Sequence, residues 1–181
     1  ETLQKIAPLI APETVVIDVC SVKKHPVDWM KELLPNHAAI LGTHPMFGPD
    51  SAAESLDGRK MVLCNVTTRP GLYLMIYDYL RGKGLEVIEA TPEEHDRQIA
   101  VSLSLTHFIG RSLAEFGAEK LKIDTEGYKR LTYTLEVVEH DTWQLFQDMH
   151  QFNPYAREIR VKFMAAMGRI EPFDDLSNGD R

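Results

Sequence analysis

Short apolar runs alternate with amphipathic stretches over the first 90 residues, and this alternation constrains the fold more than any other feature. Four runs rich in β-branched and aliphatic residues have the length of buried strands. They are Thr14–Cys20, Ala38–Thr43, Met61–Val66 and Leu85–Ala90. The stretches between them predict helices at about Thr2–Ile10, His25–Leu34 and Pro70–Lys83. Strands that alternate with helices indicate an open α/β sheet, in which the first run is expected to be a buried parallel strand.

The pattern becomes purely helical at Thr91. This residue suits an N-cap, Pro92 suits the first helical position, and Glu94 completes a capping box. One long helix is predicted from there to about Phe116, with Gly117 as its C-cap. Further helices are predicted at about Thr125–Val138, Asp141–His150 and Pro154–Ile170.

These two patterns divide the chain. We expect an α/β domain over residues 1–90, a helical domain over residues 91–171 and a flexible tail over residues 172–181. The opening residues have the pattern of a helix that runs directly into a strand. We therefore expect the front part of the α/β domain to be missing from this sequence.

Charge and composition exclude several classes of protein. The formal net charge of −7 argues against binding to nucleic acid and against a polybasic membrane surface. The sequence has no apolar stretch of the ~18 residues that a membrane span requires. Cys20 and Cys64 lie in apolar runs without metal-ligand spacing, so they are interpreted as unreactive thiols. We expect a cytoplasmic protein, or one of the plastid stroma if its source is a plant.

The predicted helices after residue 91 carry apolar residues on more than one face. A small helical domain cannot bury that many apolar faces by itself. This predicts a homodimer formed through the helical domain, and a monomeric bundle packed on its own sheet is the alternative.

Polar residues with special backbone neighbours mark three candidate sites. Ser21 follows the first predicted strand, where its hydroxyl could either cap the next helix or face a ligand. His44 lies in a loop containing two glycines and two prolines, which would hold an imidazole suited to general-base chemistry, although a lone loop histidine is usually structural. Asp96 and His107 share a stripe of the long helix, where a buried structural histidine is the alternative.

In their order along the chain, DVCSVK, THPMFGP, EEHDR and LTH resemble the prephenate/arogenate dehydrogenase family, and HPMFGP is similar to the plant-type arogenate dehydrogenases. The resemblance implies a remnant of a Rossmann-type nucleotide-binding domain followed by an all-α dimerisation domain. It also implies that His44 takes the proton from the ring hydroxyl of the substrate and that Ser21 orients it. His107 and Asp96 match active-site positions on the long helix.

The resemblance further implies NADP or NAD as cofactor, with contacts at Ser21, Pro45 and Gly48, and no metal. The glycine fingerprint for the dinucleotide is not in this sequence.

The expected reaction is the oxidative decarboxylation of prephenate or arogenate in tyrosine biosynthesis. Glu136 stands where many bacterial members carry an arginine for the substrate carboxylate. We therefore expect the substrate carboxylate to be bound by another cation: Lys23, Arg97, Arg111 or Arg130. The choice between the two substrates stays open. The alternative function is an inactive substrate-binding and dimerisation module without cofactor binding.

Overall fold

The structure, a computed structural model, describes residues 1–48, 51–139 and 141–170. The chain forms two compact units. The first contains residues 1–99 together with Gln151–Asn153, and the second contains Ala100–His150 and the chain from Pro154 onwards. The expected tail over residues 172–181 lies outside the described residues.

A four-stranded mixed sheet forms the centre of the first unit. Its strands are β1 (Val15–Asp18), β2 (Ala39–Pro45), β3 (Lys60–Asn65) and β4 (Glu86–Glu89), in the order β1-β2-β3-β4. Strand β1 is parallel to β2, β3 is antiparallel to β2, and β4 is parallel to β3. The predicted open α/β sheet is confirmed, with one antiparallel pair at its centre.

The helices of the first unit connect these strands. They are α1 (Thr2–Ile6, continued by a 3₁₀ turn over Ala7–Leu9), α2 (Lys24–Leu33), α3 (Pro70–Gly82) and α4 (Pro92–Ile99). Successive residues of a strand face opposite sides of a sheet. Accordingly Ile40 packs in a cluster with Val27 and Met30, whereas Leu41 packs with Leu63 and Tyr73. Each such buried side chain contributes roughly 1.5–3 kcal/mol.

Two strand predictions need correction. Strand β2 continues through His44 to Pro45 rather than giving way to a loop at Gly42, because its residues from Leu41 to Pro45 pair with β3. Strand β1 is not fully buried, since the side chain of Ile17 is 47% exposed. The physical reason is its place at the end of the strand order, with β2 as its sole neighbour among the described strands.

The second unit is helical. It begins with a π-helical turn (Ala100–Ser104) and continues with α5 (Leu105–Phe116), α6 (Glu126–Glu139), α7 (Trp143–Phe152) and α8 (Ala156–Ile170). The helix predicted to run unbroken to Phe116 is therefore interrupted by that turn. Gly117 ends α5 in the left-handed conformation with φ 78°, as a C-cap glycine should.

Helices α5 and α6 approach each other closely at Gly110. A Cβ atom there would lie 2.5 Å from Val138 Cγ2 and 3.0 Å from the Thr134 carbonyl oxygen. This crossing therefore requires a residue without a side chain.

The molecule combines a Rossmann-type α/β unit with a helical unit, which is the predicted fold class. Within the described residues, no helix has the length and apolar character needed to cross a membrane.

Candidate active site

Three sequence-predicted residues of the first unit lie after β1, at the end of β2 and within α4. Ser21 follows β1, His44 is the next-to-last residue of β2, and Asp96 is in α4. The structure brings His44 and Asp96 into one hydrogen-bonded chain through His95, to which the sequence interpretation assigned no role.

This chain of side chains is the central feature of the unit. His44 Nδ1 lies 2.8 Å from His95 Nε2, and His95 Nδ1 lies 2.8 Å from Asp96 Oδ1. All three residues are buried, with exposures of 5%, 3% and 0%. We call these three residues the His-His-Asp relay.

The relay fixes the protonation of each ring nitrogen. A carboxylate accepts hydrogen bonds, so the proton of His95 is on Nδ1 and its Nε2 carries a lone pair. That lone pair accepts the proton of His44 Nδ1. His44 Nε2 is then left unprotonated, which is the state in which it can accept a proton.

Helix α4 holds His95 and Asp96 in place through its first turn. Glu94 Oε2 accepts hydrogen bonds from the backbone N–H of Thr91 at 2.8 Å and from its hydroxyl at 2.8 Å, while Glu94 N–H donates to Thr91 Oγ1 at 3.1 Å. This confirms the predicted capping box. Such a cap contributes about 1 kcal/mol and fixes where the helix begins.

Asp96 also binds the start of helix α2. Its Oδ1 accepts from the N–H of Lys23 at 2.8 Å, and its Oδ2 accepts from the N–H of Lys24 at 2.9 Å. Asn153 Nδ2 donates to the Asp96 carbonyl oxygen at 2.8 Å. A carboxylate at a helix N-terminus is stabilised by unpaired N–H groups and by the helix dipole. Asp96 is fully buried, and both of its carboxylate oxygens already accept hydrogen bonds from the protein. It therefore affects His44 through His95 rather than by contacting a substrate.

The surroundings keep His44 neutral. Burial lowers the pKa of His44 to about 3, the nearby His95 and Lys23 act in the same direction, and Asp96 opposes them. A neutral imidazole is the form that a general base requires.

Lys23 differs from its expected role as a ligand for a substrate carboxylate. Its side chain is 0% exposed, pairs with Asp18 and donates to the Thr43 carbonyl oxygen at 2.6 Å. A buried ammonium must be paired in this way to offset its desolvation. Lys23 therefore ties the ends of β1 and β2 together.

Ser21 is half-buried and makes no hydrogen bond with the described residues. It does not cap α2, because Lys23 occupies the N-cap position and Asp96 accepts the hydrogen bonds there. Pro45 ends β2 opposite Met61, and the N–H of the exposed Gly48 donates to Ser51 Oγ at 3.0 Å.

Arg97, on α4 of the first unit, forms an ion pair with Glu93 at 2.8 Å. The other predicted residues lie in the second unit. His107 is 3% exposed, and its Nε2 lies 3.4 Å from Asp141 Oδ2. Burial lowers the pKa of His107, the Asp141 carboxylate opposes this effect, and Arg111 adds to it. Arg130 is exposed on α6, and Glu136 forms an ion pair with Lys120 at 2.7 Å.

His95 is the functional candidate that sequence reasoning missed. Its signal was its position beside Asp96 in EEHDR, since a carboxylate next to an imidazole often sets its tautomer. The partner that gives His95 a role, His44, is 51 residues away in the chain.

Known proteins resemble both units. Residues 1–89 match the family described as "Prephenate dehydrogenase, nucleotide-binding domain", and residues 112–173 match "TYRAAT1-like, C-terminal domain". Arogenate dehydrogenase 2, chloroplastic, of Arabidopsis thaliana is 35% identical over 153 residues, which is 80% of this chain and 42% of the relative. Arogenate dehydrogenase 1, chloroplastic, of the same plant is 32% identical over 163 residues, or 87% of this chain and 26% of the relative. The chain thus spans less than half the length of these relatives.

Two solved structures share the fold. Prephenate dehydrogenase of A. aeolicus, crystallised with hydroxyphenyl propionate and NAD+, superposes with a TM-score of 0.70 at 19% identity, covering 92% of this chain and 62% of that one. Arogenate dehydrogenase of Synechocystis superposes with a TM-score of 0.67 at 21% identity, covering 93% of this chain and 66% of that one.

Proposed function

This chain belongs to the prephenate/arogenate dehydrogenase family, and we propose that it supplies the catalytic base of an NAD(P)-dependent oxidative decarboxylation in tyrosine biosynthesis. The substrate is prephenate or arogenate, and the products are 4-hydroxyphenylpyruvate or tyrosine. The observation that carries the proposal is the His-His-Asp relay, which leaves His44 Nε2 unprotonated.

The relay suits removal of a proton from the ring hydroxyl. As His44 Nε2 takes that proton, the positive charge is stabilised through His95 by the buried carboxylate of Asp96. NAD(P), when bound, would supply the acceptor for the hydride that leaves the same ring carbon, and loss of CO₂ would make the ring aromatic. Aromatisation supplies driving force, so the protein mainly has to orient the reactants and provide one base.

The first unit supplies part of a cofactor site. Ser21 lies just beyond the carboxyl end of β1, where ligands bind in open α/β sheets, and its hydroxyl is not engaged by the described residues. We assign Ser21 and Pro45 to the nicotinamide side of the cofactor, with Gly48 in the loop that follows. The pyrophosphate needs a glycine-rich turn that these 181 residues do not contain.

Prephenate and arogenate, the two ring acids, are the alternative substrates, and the turnover assay below distinguishes them. Glu136 would suit the amino group of arogenate, yet its carboxylate is engaged by Lys120. Arogenate is favoured by the names of the two plant relatives, and those names also favour the plastid stroma over the cytoplasm.

We also propose that the protein is a homodimer formed through its second unit. Four large apolar side chains on α8 are 49–76% exposed: Val161, Met164, Met167 and Ile170. Exposed apolar surface of this kind is characteristic of an interface. A second copy would cover it symmetrically, as in most homo-oligomers.

The direct test is a turnover assay on the protein that carries this chain at its natural length. NADPH or NADH formation would be followed with arogenate and with prephenate, each with both cofactors. Oxidation of one ring acid with release of CO₂ supports the proposal. Tight binding of a ring acid without any oxidation would instead support the binding-module alternative.

A further inference from the structure

Strand β2 carries His44 beyond the end of its neighbour β1. The pairing of β1 with β2 ends at Asp18, opposite Gly42, so Thr43 and His44 have no partner on that side among the described strands. On the other side, their pairing with β3 continues to Pro45. Thr43 is buried, so its backbone groups on the β1 side need other hydrogen-bond partners.

Two side-chain hydrogen bonds hold Thr43 on the β1 side. Lys23 Nζ donates to the Thr43 carbonyl oxygen at 2.6 Å, and the Thr43 hydroxyl donates to the Asp18 carbonyl oxygen at 2.7 Å. The Lys23 ammonium also pairs with Asp18 Oδ1, which accepts from the N–H of Cys20 at 3.0 Å. Because adjacent residues share a rigid peptide plane, these bonds also fix the backbone of His44.

The main chain of Lys23 holds the other end of the His-His-Asp relay. Its N–H donates to Asp96 Oδ1 at 2.8 Å, and its carbonyl oxygen accepts the N–H of Val27 at 3.0 Å in the first turn of α2. One residue thus contacts both the segment beside His44 and the carboxylate that holds His95. These contacts set the distance between the two ends of the relay.

Stability alone does not account for a buried ion pair at this position. The side chains of Lys23 and Asp18 are 0% and 11% exposed. Desolvation of the two charges opposes their attraction, and replacing such a pair by well-packed uncharged side chains is often neutral or stabilising. The ammonium does act on the base. Burial, His95 and Lys23 lower the pKa of His44, and Asp96 raises it.

We propose that Lys23 is a positioning residue for the base, with Asp18 as its counter-ion. The ammonium fixes the β2 backbone beside His44 and the main chain fixes Asp96, so that the hydrogen bond between His44 and His95 keeps its length and direction. Lys23 acts through these groups and does not contact the substrate. This inference rests on the proposed function of His44 as the base.

The test removes both charges together, so that neither is left buried without a partner. Lys23→Met/Asp18→Asn keeps similar side-chain lengths, the Lys23 main chain and an oxygen for the Cys20 N–H. We expect kcat with the ring acid to fall roughly 10- to 100-fold at unchanged KM, because a misplaced base slows only the chemical step. Lys129→Met/Glu126→Gln removes an exposed ion pair on α6 and is the matched control, which should keep the wild-type kcat.

Magnetic resonance of the histidine rings reports the relay without turnover. In protein isotope-labelled at the ring nitrogens, and assigned with His44→Asn, the wild type should show His44 protonated on Nδ1 alone. The double variant should show exchange between the two tautomers of His44. Thr43→Val keeps both charges and removes only the hydrogen bond to the Asp18 carbonyl oxygen. It should lower kcat and alter the His44 spectrum to a smaller extent.

A folded double variant with the kcat of the control, or with the wild-type tautomer of His44, would overturn the proposal. A raised KM at unchanged kcat would also overturn it, because that result indicates a substrate contact. If the double variant does not fold, a wild-type kcat and spectrum in Thr43→Val overturn the proposal. If the wild type oxidises neither ring acid, the proposed function fails, and the ring spectra alone decide whether Lys23 positions His44.

Discussion

His44 Nδ1 and His95 Nε2 lie 2.8 Å apart, although 51 residues separate them in the sequence. Since His95 donates its ring proton, on Nδ1, to Asp96, its Nε2 accepts from His44, and this contact decides which nitrogen of His44 is free. The role of His44 as the base follows from that assignment.

Removing His95 should impair catalysis without impairing substrate binding. In His95→Phe, the His44 ring loses the acceptor that fixes its tautomer and the path to the Asp96 charge. We expect kcat to fall by roughly 10- to 100-fold, as for other residues that orient a catalytic group, with little change in KM. The pH dependence of kcat should shift as well. His37→Gln, at an exposed histidine, is the control, and a His95→Phe enzyme with the wild-type pH profile would exclude the relay.

Asp96→Asn should destabilise the first unit. The carboxylate accepts the N–H groups of Lys23 and Lys24 and the ring proton of His95, and an amide nitrogen cannot replace an accepting oxygen. One buried donor is left unpaired, at a cost of about 1–3 kcal/mol. Urea unfolding would measure the loss. Asp28→Asn, at an exposed residue of α2, should change stability little.

Gly110→Ala should destabilise the helical unit by about 1–3 kcal/mol, because the added methyl group would overlap Val138 Cγ2. Gly168 lies in α8 with nothing within 4 Å of an added Cβ atom. Gly168→Ala should therefore be neutral or slightly stabilising, by the higher helix propensity of alanine. Thermal unfolding of the two variants compares them directly, and equal effects would contradict the close α5–α6 packing.

The stability of the protein should fall in mild acid partly because of His44. Above pH 6.5 neither the folded nor the unfolded chain binds a proton there. Between pH 6.5 and about 3 the unfolded chain binds one and the folded chain does not. The free energy of unfolding should then decrease by at most about 1.4 kcal/mol per pH unit from this residue. Urea titrations of wild type and His44→Asn between pH 7 and 4.5 should show a shallower slope in the variant. Identical slopes would contradict the lowered pKa.

Charging the exposed face of α8 should produce monomers. Met164 and Met167 are 50% and 55% exposed, so a Met164→Glu/Met167→Glu variant should fold normally. Sedimentation velocity should give twice the chain mass for wild type and the single-chain mass for the variant. Lys31→Glu, an exposed position in the first unit, should remain dimeric. A monomeric wild type would refute the dimer.

Much of the fold was predictable because its signals are local. The capping box of Thr91 and Glu94 and the C-cap of Gly117 act within one turn of a helix, so sequence identifies them directly. The extension of β2 through His44 was missed because pairing with β3 overrides the turn-forming residues around it.

The site was only partly predictable for the same reason. His44 and Asp96 could be singled out from sequence, whereas the role of His95 depends on a contact between distant segments. Lys23 was one of the cations expected to bind the substrate carboxylate, because Glu136 stands where many bacterial family members carry an arginine. Lys23 is buried against Asp18 because β1, β2 and α2 pack together there. A local sequence pattern does not predict such packing between separate elements.

The most direct test of the central claim is the turnover number of His44→Asn, measured with the ring acid that the wild-type enzyme oxidises. If His44 is the base, kcat should fall by roughly 10²- to 10⁴-fold while the substrate dissociation constant remains close to that of wild type. An unchanged kcat in a correctly folded His44→Asn protein would remove His44 from the mechanism and contradict the account.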